Sequence, residues 1–133
     1  RFPTFSSAIS AIVLNPDKNK VLLIQQYGRK DNILVAGYIS KGENAEQTLV
    51  REIKEETGLN VKDYQYMKSS YYEKTNTLMC NFICMVDSED LSQINEEVDK
   101  AEWFSFEDAL KNIKSKSLAE EFLIYAFKKM NYI

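Results

Sequence analysis

Three glutamates in the segment GYISKGENAEQTLVREIKEETGL, residues 37–59, have the types and spacing that could do chemistry. Glu52, Glu55 and Glu56 would fall within about 100° of one another on an α-helix, because each helical residue turns by about 100°. Like charges at these spacings repel one another. A sequence that keeps them either leaves them in water or holds them with a cation, and carboxylate oxygens suit Mg²⁺ or Mn²⁺.

Neighbouring residues fit the same chemistry. Arg51 stands four residues before Glu55 and can orient or partly neutralise it. Glu43 precedes the predicted helix in a loop with Gly37 and Gly42, which let the backbone turn sharply and approach a ligand closely. An ion held here bridges to substrate phosphates and can acidify a water. The alternative interpretation is a solvated acidic helix face, which most charge runs are.

The composition excludes several other chemistries. The 133 residues include no histidine, which excludes a Ser-His-Asp triad and histidine-bearing zinc sites. Cys80 and Cys84 lie in one strand-like segment, roughly 13 Å apart, too far for a disulfide. Reduced cysteines fit a cytoplasmic location. The net charge of −3, with no long basic run, argues against a dedicated nucleic-acid surface. No apolar stretch approaches the roughly 20 residues that span a bilayer, so we expect no membrane partner.

The helix that carries the acids has clear ends. Asn44 is a capping residue with Gln47 at the reciprocal position, and Gly58 stands where a left-handed residue closes a helix. Glu56 borders the apolar stripe of this helix, so we expect the acids on the flank where the helix leaves the core. The stripe is formed by residues that recur every four positions: Ala45, Leu49 and Ile53.

The other predicted elements form one sheet covered by helices. Ser105 and Ser117 cap two helices near the end of the chain, with Asp108 and Glu120 three residues after them. The last helix should bury one stripe: Leu118, Phe122, Tyr125, Ala126 and Lys129 or Met130. Predicted strands cover residues 6–15, 21–27, 33–39, 64–73, 76–87 and 101–106. This order indicates an α/β or α+β sandwich, in one domain over residues 1–133.

The acidic segment resembles the Nudix box: a glycine, five residues, Glu, seven residues, then Arg-Glu-apolar-x-Glu-Glu-x-Gly-apolar. The pattern is met without an insertion by Gly37, Glu43, Arg51, Glu52, Ile53, Glu55, Glu56, Gly58 and Leu59. A pattern of this length is far more specific than a lone glycine motif. The resemblance implies the Nudix α/β/α sandwich, a mixed β-sheet flanked by helices. It also implies hydrolysis of a nucleoside diphosphate linked to another group.

The resemblance also implies roles for single residues. The three clustered glutamates match metal-ligand positions and form the catalytic set with Arg51, which orients them. Glu43 matches a supporting acid, and Gly37 and Gly42 shape the loop. The backbone carbonyl of Ala36, directly before the box, is a further ligand position. The implied cofactor is Mg²⁺ or Mn²⁺, and members of the family differ in which carboxylate acts as the general base.

Segments outside the box resemble the catalytic domain of the NADH pyrophosphatase branch of the family. That branch carries the motif Ser-Gln-Pro-Trp-Pro-Phe-Pro-x-x-Leu-Met-x-x-Phe. In SSYYEKTNTLMCNF, Tyr72 stands where the tryptophan would be, the glutamine and prolines are absent, and four positions are in step: Ser69, Leu78, Met79 and Phe82. EEVDKAEWF resembles a further segment and puts Glu97 at a distal metal-ligand position. The branch's zinc-binding insert has no counterpart here.

The implied substrate is a small-molecule nucleotide: a dinucleotide of the NADH or ADP-ribose type, or a nucleotide sugar. The candidate substrate-binding residues are Tyr72, Ser69, Phe82 and Arg29, although strand aromatics are more often packing and a loop arginine is more often solvated. Tyr64 and Tyr66 share one strand face and are a candidate homodimer surface. Two alternatives stay open: a house-cleaning nucleoside triphosphate pyrophosphatase, and a non-catalytic sensor that binds ADP-ribose or NAD. The complete set of acids favours an enzyme.

Overall fold

The computed structural model describes residues 2–133, which form a six-stranded mixed sheet with helices on both faces. The strands are β1 Ser6–Leu14, β2 Lys20–Gln26, β3 Val35–Tyr38, β4 Val61–Tyr72, β5 Thr77–Val86 and β6 Val98–Ser105. The helices are α1 Ala45–Thr57, α2 Phe106–Asn112 and α3 Leu118–Lys129, and a 3₁₀ turn, Glu73–Thr75, joins β4 to β5. The predicted α/β class, a mixed sheet flanked by helices, is confirmed.

The sheet is split along one edge of its central strand, β1, where two different strands lie side by side. Its order is β4-β5-β1-β2-β6, in which β1 and β5 are parallel and the other neighbours are antiparallel. β3 pairs with the first half of β1, whereas β2 meets β1 only at the Leu14–Val21 pair. β2 and β3 therefore share one edge of β1, and a single bridge between Ile24 and Ile33 links β2 to the segment that leads into β3.

Each face of the sheet has its own hydrophobic core. Successive side chains of a strand point to opposite faces. Ile9 and Ala11 of β1 therefore pack in the core that contains α1, and Ile12 and Leu14 pack in the core that contains α2 and α3. This arrangement is the α/β/α sandwich.

The ends of α1 follow the sequence signals. The side chain of Asn44 accepts a hydrogen bond from the Gln47 N–H at 2.8 Å, and that of Gln47 accepts one from the Asn44 N–H at 2.9 Å. Gly58 closes the helix with a left-handed φ of 79°. Leu49 and Ile53 are fully buried. The predicted caps and packing stripe of α1 are confirmed.

The predicted stripe of α3 was partly wrong. Met130 and Lys129 are exposed and Tyr125 is half-buried. The buried residues form two adjacent columns along the helix: Phe122, Leu123, Ala126 and Phe127. Phe127 belongs to the core because it packs against Phe106, with ring centroids 4.7 Å apart, a partner from α2 that the helix's own sequence does not reveal.

Three strand boundaries also differ from the prediction. β3 is confined to Val35–Tyr38, β4 begins earlier at Val61, and β6 begins earlier at Val98. β6 starts in a polar stretch because it pairs with β2 along its length, from Lys20–Ser105 to Gln26–Val98. Among residues 2–133, no helix has the length and apolar character needed to cross a membrane.

Candidate metal and substrate site

A cleft of about 860 Å³ runs between the acidic flank of α1 and the start of α3. Small-molecule sites typically measure about 300–1,000 Å³. Ala36, Gly37 and Tyr72 line the cleft. So do the acids that were predicted as metal ligands: Glu52, Glu55, Glu56 and Glu97.

Arg51 organises the acids at the mouth of the cleft. Its Nε and Nη2 donate to the two carboxylate oxygens of Glu43 at 2.6 and 2.9 Å. Its Nη1 donates to Glu52 at 2.9 Å and to Glu55 at 3.1 Å. One guanidinium therefore holds three carboxylates.

Glu43 is held as a carboxylate. The hydrogen bonds from Arg51, the Ser40 backbone N–H and the Thr48 hydroxyl lower its pKa to about 2. Because its donors come from the loop and from α1, Glu43 ties the loop before the helix to the helix itself.

Glu56 is the most buried of the acids, with 6% of its surface exposed. Gln26 Nε2 donates to its Oε1 at 2.6 Å, and its Oε2 has no hydrogen-bond partner among the described residues. Burial, together with the weaker effect of the charges of Glu52, Glu97 and Glu55, raises the pKa of Glu56 to about 7 against the opposing effect of Gln26. Burial also raises the pKa of Glu52, against the effect of Arg51.

These acids fit a divalent cation. In residues 2–133 no three carboxylates converge closely enough to enclose an ion, and Arg51 Nη1 lies between Glu52 and Glu55. The partnerless Oε2 of Glu56 is nevertheless a buried oxygen that needs a positive partner. A cation would also offset the mutual repulsion that raises the pKa of Glu56.

Gly37 allows Glu52 to reach the cleft. A Cβ at this position would lie 2.2 Å from Glu52 Cδ, closer than any real contact, so a side chain larger than hydrogen would displace the acid. Gly42 instead has a left-handed φ of 88° and open space around it, so its role is to turn the loop. The two glycines therefore serve different purposes.

Asn95 brings Glu97 to the cleft. The Asn95 N–H donates to the Glu56 carbonyl at 2.8 Å, and the Asn95 side chain accepts the Glu97 N–H at 2.7 Å. These two bonds attach the segment before β6 to the end of α1. The charge of Glu97 consequently acts on Glu56.

The sequence of the chain matches the family model of the NUDIX domain over residues 4–124. This chain belongs to the Nudix family. Proteins of the family generally use divalent metal ions.

Similar proteins include two named "NAD-capped RNA hydrolase NudC". The protein from Mannheimia succiniciproducens is 32% identical over 96 residues, which is 72% of this chain and 36% of that protein. The protein from Enterobacter sp. is 30% identical over 109 residues, 80% of this chain and 42% of that protein. The Nudix chain thus spans less than half the length of these relatives.

Solved structures show the same fold. A Nudix hydrolase from Nitrosomonas europaea superposes with a TM-score of 0.80 at 16% identity, over 99% of this chain and 74% of that one. The Nudix domain of Shewanella oneidensis NrtR, crystallised with ADP ribose, gives 0.78 at 19% identity, over 97% and 90%.

The candidate substrate-binding residues of the Nudix chain do not all lie together. Tyr72 lines the cleft, whereas Ser69, Phe82 and Arg29 do not. Phe82 is 2% exposed in the core that contains α1, and Ser69 pairs with Cys80, which packs against the same core. The assignments of Ser69 and Phe82 are corrected accordingly: strand alternation places them on the face opposite the cleft. Arg29 is exposed in the loop after β2.

Phe82 is covered on its own face by Tyr64 and Tyr66, whose rings lie 6.1 and 5.6 Å from it. Both tyrosines are about half exposed, and a homodimer through them stays a prediction.

Several cleft residues were missed by sequence reasoning: Gln26, Tyr27, Tyr38, Lys74, Asn95, Lys114 and Lys116. Two of them had a local signal, because Gln26 is an amide at the end of an apolar strand and Tyr38 directly follows the box glycine. The lysines had none, since the turn and the loop that carry them meet only in the folded chain.

Proposed function

We propose that this Nudix chain is a pyrophosphohydrolase that uses Mg²⁺ or Mn²⁺. It cleaves the pyrophosphate bond of a nucleoside diphosphate linked to another group and releases a nucleoside monophosphate. The proposed substrate is a dinucleotide of the NADH or ADP-ribose type. The observation that carries the proposal is that every acid implied as a metal ligand lines one cleft of about 860 Å³, where Glu56 keeps an unpaired buried oxygen.

The residues that would hold the ion are Glu52, Glu55 and Glu56, with Glu97 and the backbone carbonyl of Ala36 beside them. A bound divalent ion supplies positive charge for phosphate oxygens and lowers the pKa of a water. The chain itself is negative, and its acids alone would repel a diphosphate.

The surrounding residues position these carboxylates. Gln26 engages Oε1 of Glu56 and leaves Oε2 free to bind the ion. Arg51 keeps Glu52 and Glu55 near each other before an ion arrives. Tightly held ligands reduce the cost of ordering the site when substrate binds.

Aromatic side chains in the cleft suit a nucleotide. Tyr27, Tyr38 and Tyr72 line it, and the first two are 73% and 58% exposed. A base or nicotinamide ring can stack on such a side chain. The relatives named NAD-capped RNA hydrolase support an NAD-type diphosphate, and they add NAD-capped RNA to the substrates to be tested.

The test is a substrate panel with chromatographic identification of products. It covers NADH, NAD, ADP-ribose, FAD, a diadenosine polyphosphate, an NAD-capped RNA, and normal and oxidised dNTPs, each with Mg²⁺, Mn²⁺ or EDTA. We expect metal-dependent AMP and the second phosphorylated half from a dinucleotide. A preference for dNTPs would favour a triphosphate pyrophosphatase, and tight binding without turnover would favour a sensor.

Glu55→Gln tests the metal assignment directly. We expect turnover to fall by orders of magnitude with little change in fold, because Glu55 is exposed and contributes no core packing. Glu46→Gln is the matched control, since Glu46 is an exposed acid of α1 that does not line the cleft. Retention of most activity by Glu55→Gln at saturating Mg²⁺ would refute the assignment.

A further inference from the structure

Three lysines line the same cleft as the acids but belong to other elements. Lys74 lies in the 3₁₀ turn between β4 and β5, and Lys114 and Lys116 lie in the connection between α2 and α3. The acids come from α1 and from the segment before β6. The cleft is therefore lined by acids from one pair of segments and by lysines from another.

The connection that carries Lys114 and Lys116 is held in place by hydrogen bonds. The Lys114 N–H donates to the Asn32 carbonyl at 2.9 Å. The Lys116 N–H donates to Glu120 at 2.9 Å, and the Ser117 hydroxyl donates to the Lys114 carbonyl at 2.6 Å. The backbone positions of both lysines are thus fixed before any ligand binds.

The turn that carries Lys74 is anchored as well. Asn76, which ends the turn in a left-handed conformation, donates through its side chain to the Thr4 carbonyl at 2.9 Å, and its carbonyl accepts the Ser6 N–H at 3.0 Å. These bonds attach the turn to the start of β1. Tyr72, at the end of β4, lines the cleft beside it.

Most of this positive charge is not paired with a carboxylate among residues 2–133. Lys74 and Lys116 form no salt bridge with any residue among 2–133, and Lys114 reaches Asp31 only at 3.6 Å, with both side chains nearly half exposed. Core packing does not explain these lysines, because all three are exposed. In a chain with a net charge of −3, a basic group of this kind inside a cleft favours an anion.

We propose that Lys74, Lys114 and Lys116 form a second anion site, which binds a phosphate that the nucleotide carries beyond its diphosphate. This inference rests on the proposed function, in which the acids and their ion take the diphosphate. The chemistry recognised is a phosphate on a ribose hydroxyl. It can be a 2′-phosphate of a free dinucleotide or the first 3′-phosphodiester of a nucleotide chain.

The experiment compares pairs of substrates in which only one member carries the extra phosphate. The pairs are NADPH with NADH, and an NAD-capped oligoribonucleotide with NAD, and the readout is the ratio of kcat/KM within each pair. We expect Lys74→Gln and Lys116→Gln each to lower that ratio about twofold to fivefold, as for exposed ion pairs. Raising the salt concentration should lower the wild-type ratio too.

The outcomes separate the possibilities. A fall confined to the NADPH pair identifies a 2′-phosphate, and a fall confined to the oligonucleotide pair identifies a phosphodiester. An equal loss for both members of a pair would overturn the proposal, because the lysines would then only offset the acids' repulsion of the diphosphate. Unchanged ratios in the Lys74→Gln/Lys116→Gln double variant would also overturn it.

A control and a binding measurement keep the inference separate from the proposed function. Lys128→Gln removes an exposed lysine of α3 outside the cleft and should leave both ratios unchanged. If the chain hydrolyses nothing, the proposed function fails. The lysines are then tested by calorimetric titration in Mg²⁺ with ADP-ribose and its 2′-phosphate, and with NAD and an NAD-capped oligoribonucleotide. Equal affinities of the wild type within both pairs would overturn the anion site.

Discussion

Glu56→Gln should stabilise the protein in the absence of metal, and the gain should depend on pH. Burial raises the pKa of Glu56 in the folded state from 4.5 to about 7. Between these two values the folded protein keeps a proton that the unfolded chain has lost. The free energy of unfolding of the wild type therefore falls as the pH rises through this window, and it loses nothing further above it.

The magnitude follows from the shift. A change from 4.5 to about 7 corresponds to about 3 kcal/mol, at about 1.4 kcal/mol for each pH unit. Glutamine has the shape of a protonated glutamate and leaves a comparable unpaired donor, so the variant should behave like the wild type at low pH. The difference in unfolding free energy should grow from a few tenths of a kcal/mol near pH 4.5 to about 3 kcal/mol at pH 8.

Urea denaturation in EDTA across this pH range measures the difference. Glu46→Gln is the control, because Glu46 is an exposed acid of α1 that does not line the cleft, and we expect only a small effect on stability from its removal. Parallel stability curves for wild type and Glu56→Gln would refute the reasoning, since they would mean that Glu56 ionises normally in the fold. Added Mn²⁺ should stabilise the wild type more than the variant.

Two further predictions concern neighbours of the acids. Gln26→Leu removes the hydrogen-bond donor to Glu56, so calorimetry should show an Mn²⁺ affinity at least about tenfold weaker than that of the wild type. Gln25→Leu is the control, and equal Mn²⁺ affinities of Gln26→Leu and the wild type would contradict the prediction. Gly37→Ala would place a Cβ 2.2 Å from Glu52 Cδ, so kcat should drop at least about tenfold while the melting temperature changes little, because the displaced group is a flexible side-chain end. Wild-type kcat in that variant would show that Glu52 need not occupy this position.

The sequence alone predicted the acidic helix α1 and the placement of its glutamates because their geometry is local. Asn44 and Gln47 start α1, Gly58 ends it, and helical periodicity places Glu52 and Glu56 on one flank. No distant residue is needed for this result. The strand and helix order likewise predicted the sandwich, since each element carries its own apolar pattern.

Strand pairing decided which side of the sheet each downstream residue faces. The motif resemblance grouped Tyr72 with Phe82, yet the two side chains lie on opposite faces, and only Tyr72 reaches the cleft. Two register shifts in the pairing of β4 with β5 change which residues of the two strands are opposed. Such irregularities arise between strands and leave no mark in either strand's own pattern.

The tertiary structure also decided the charge balance of the cleft. Gln26 lies 30 positions before Glu56 in the sequence and donates a hydrogen bond to it in the fold. This contact and the burial of Glu56 together set the pKa of the acid. Lys74 and Lys116 line the same cleft as the acids only because the β4–β5 turn and the α2–α3 connection fold onto it. Electrostatic environment depends on distances through space and on exclusion of water. The sequence by itself therefore determined which groups can do chemistry, and the fold determined their charge and their partners.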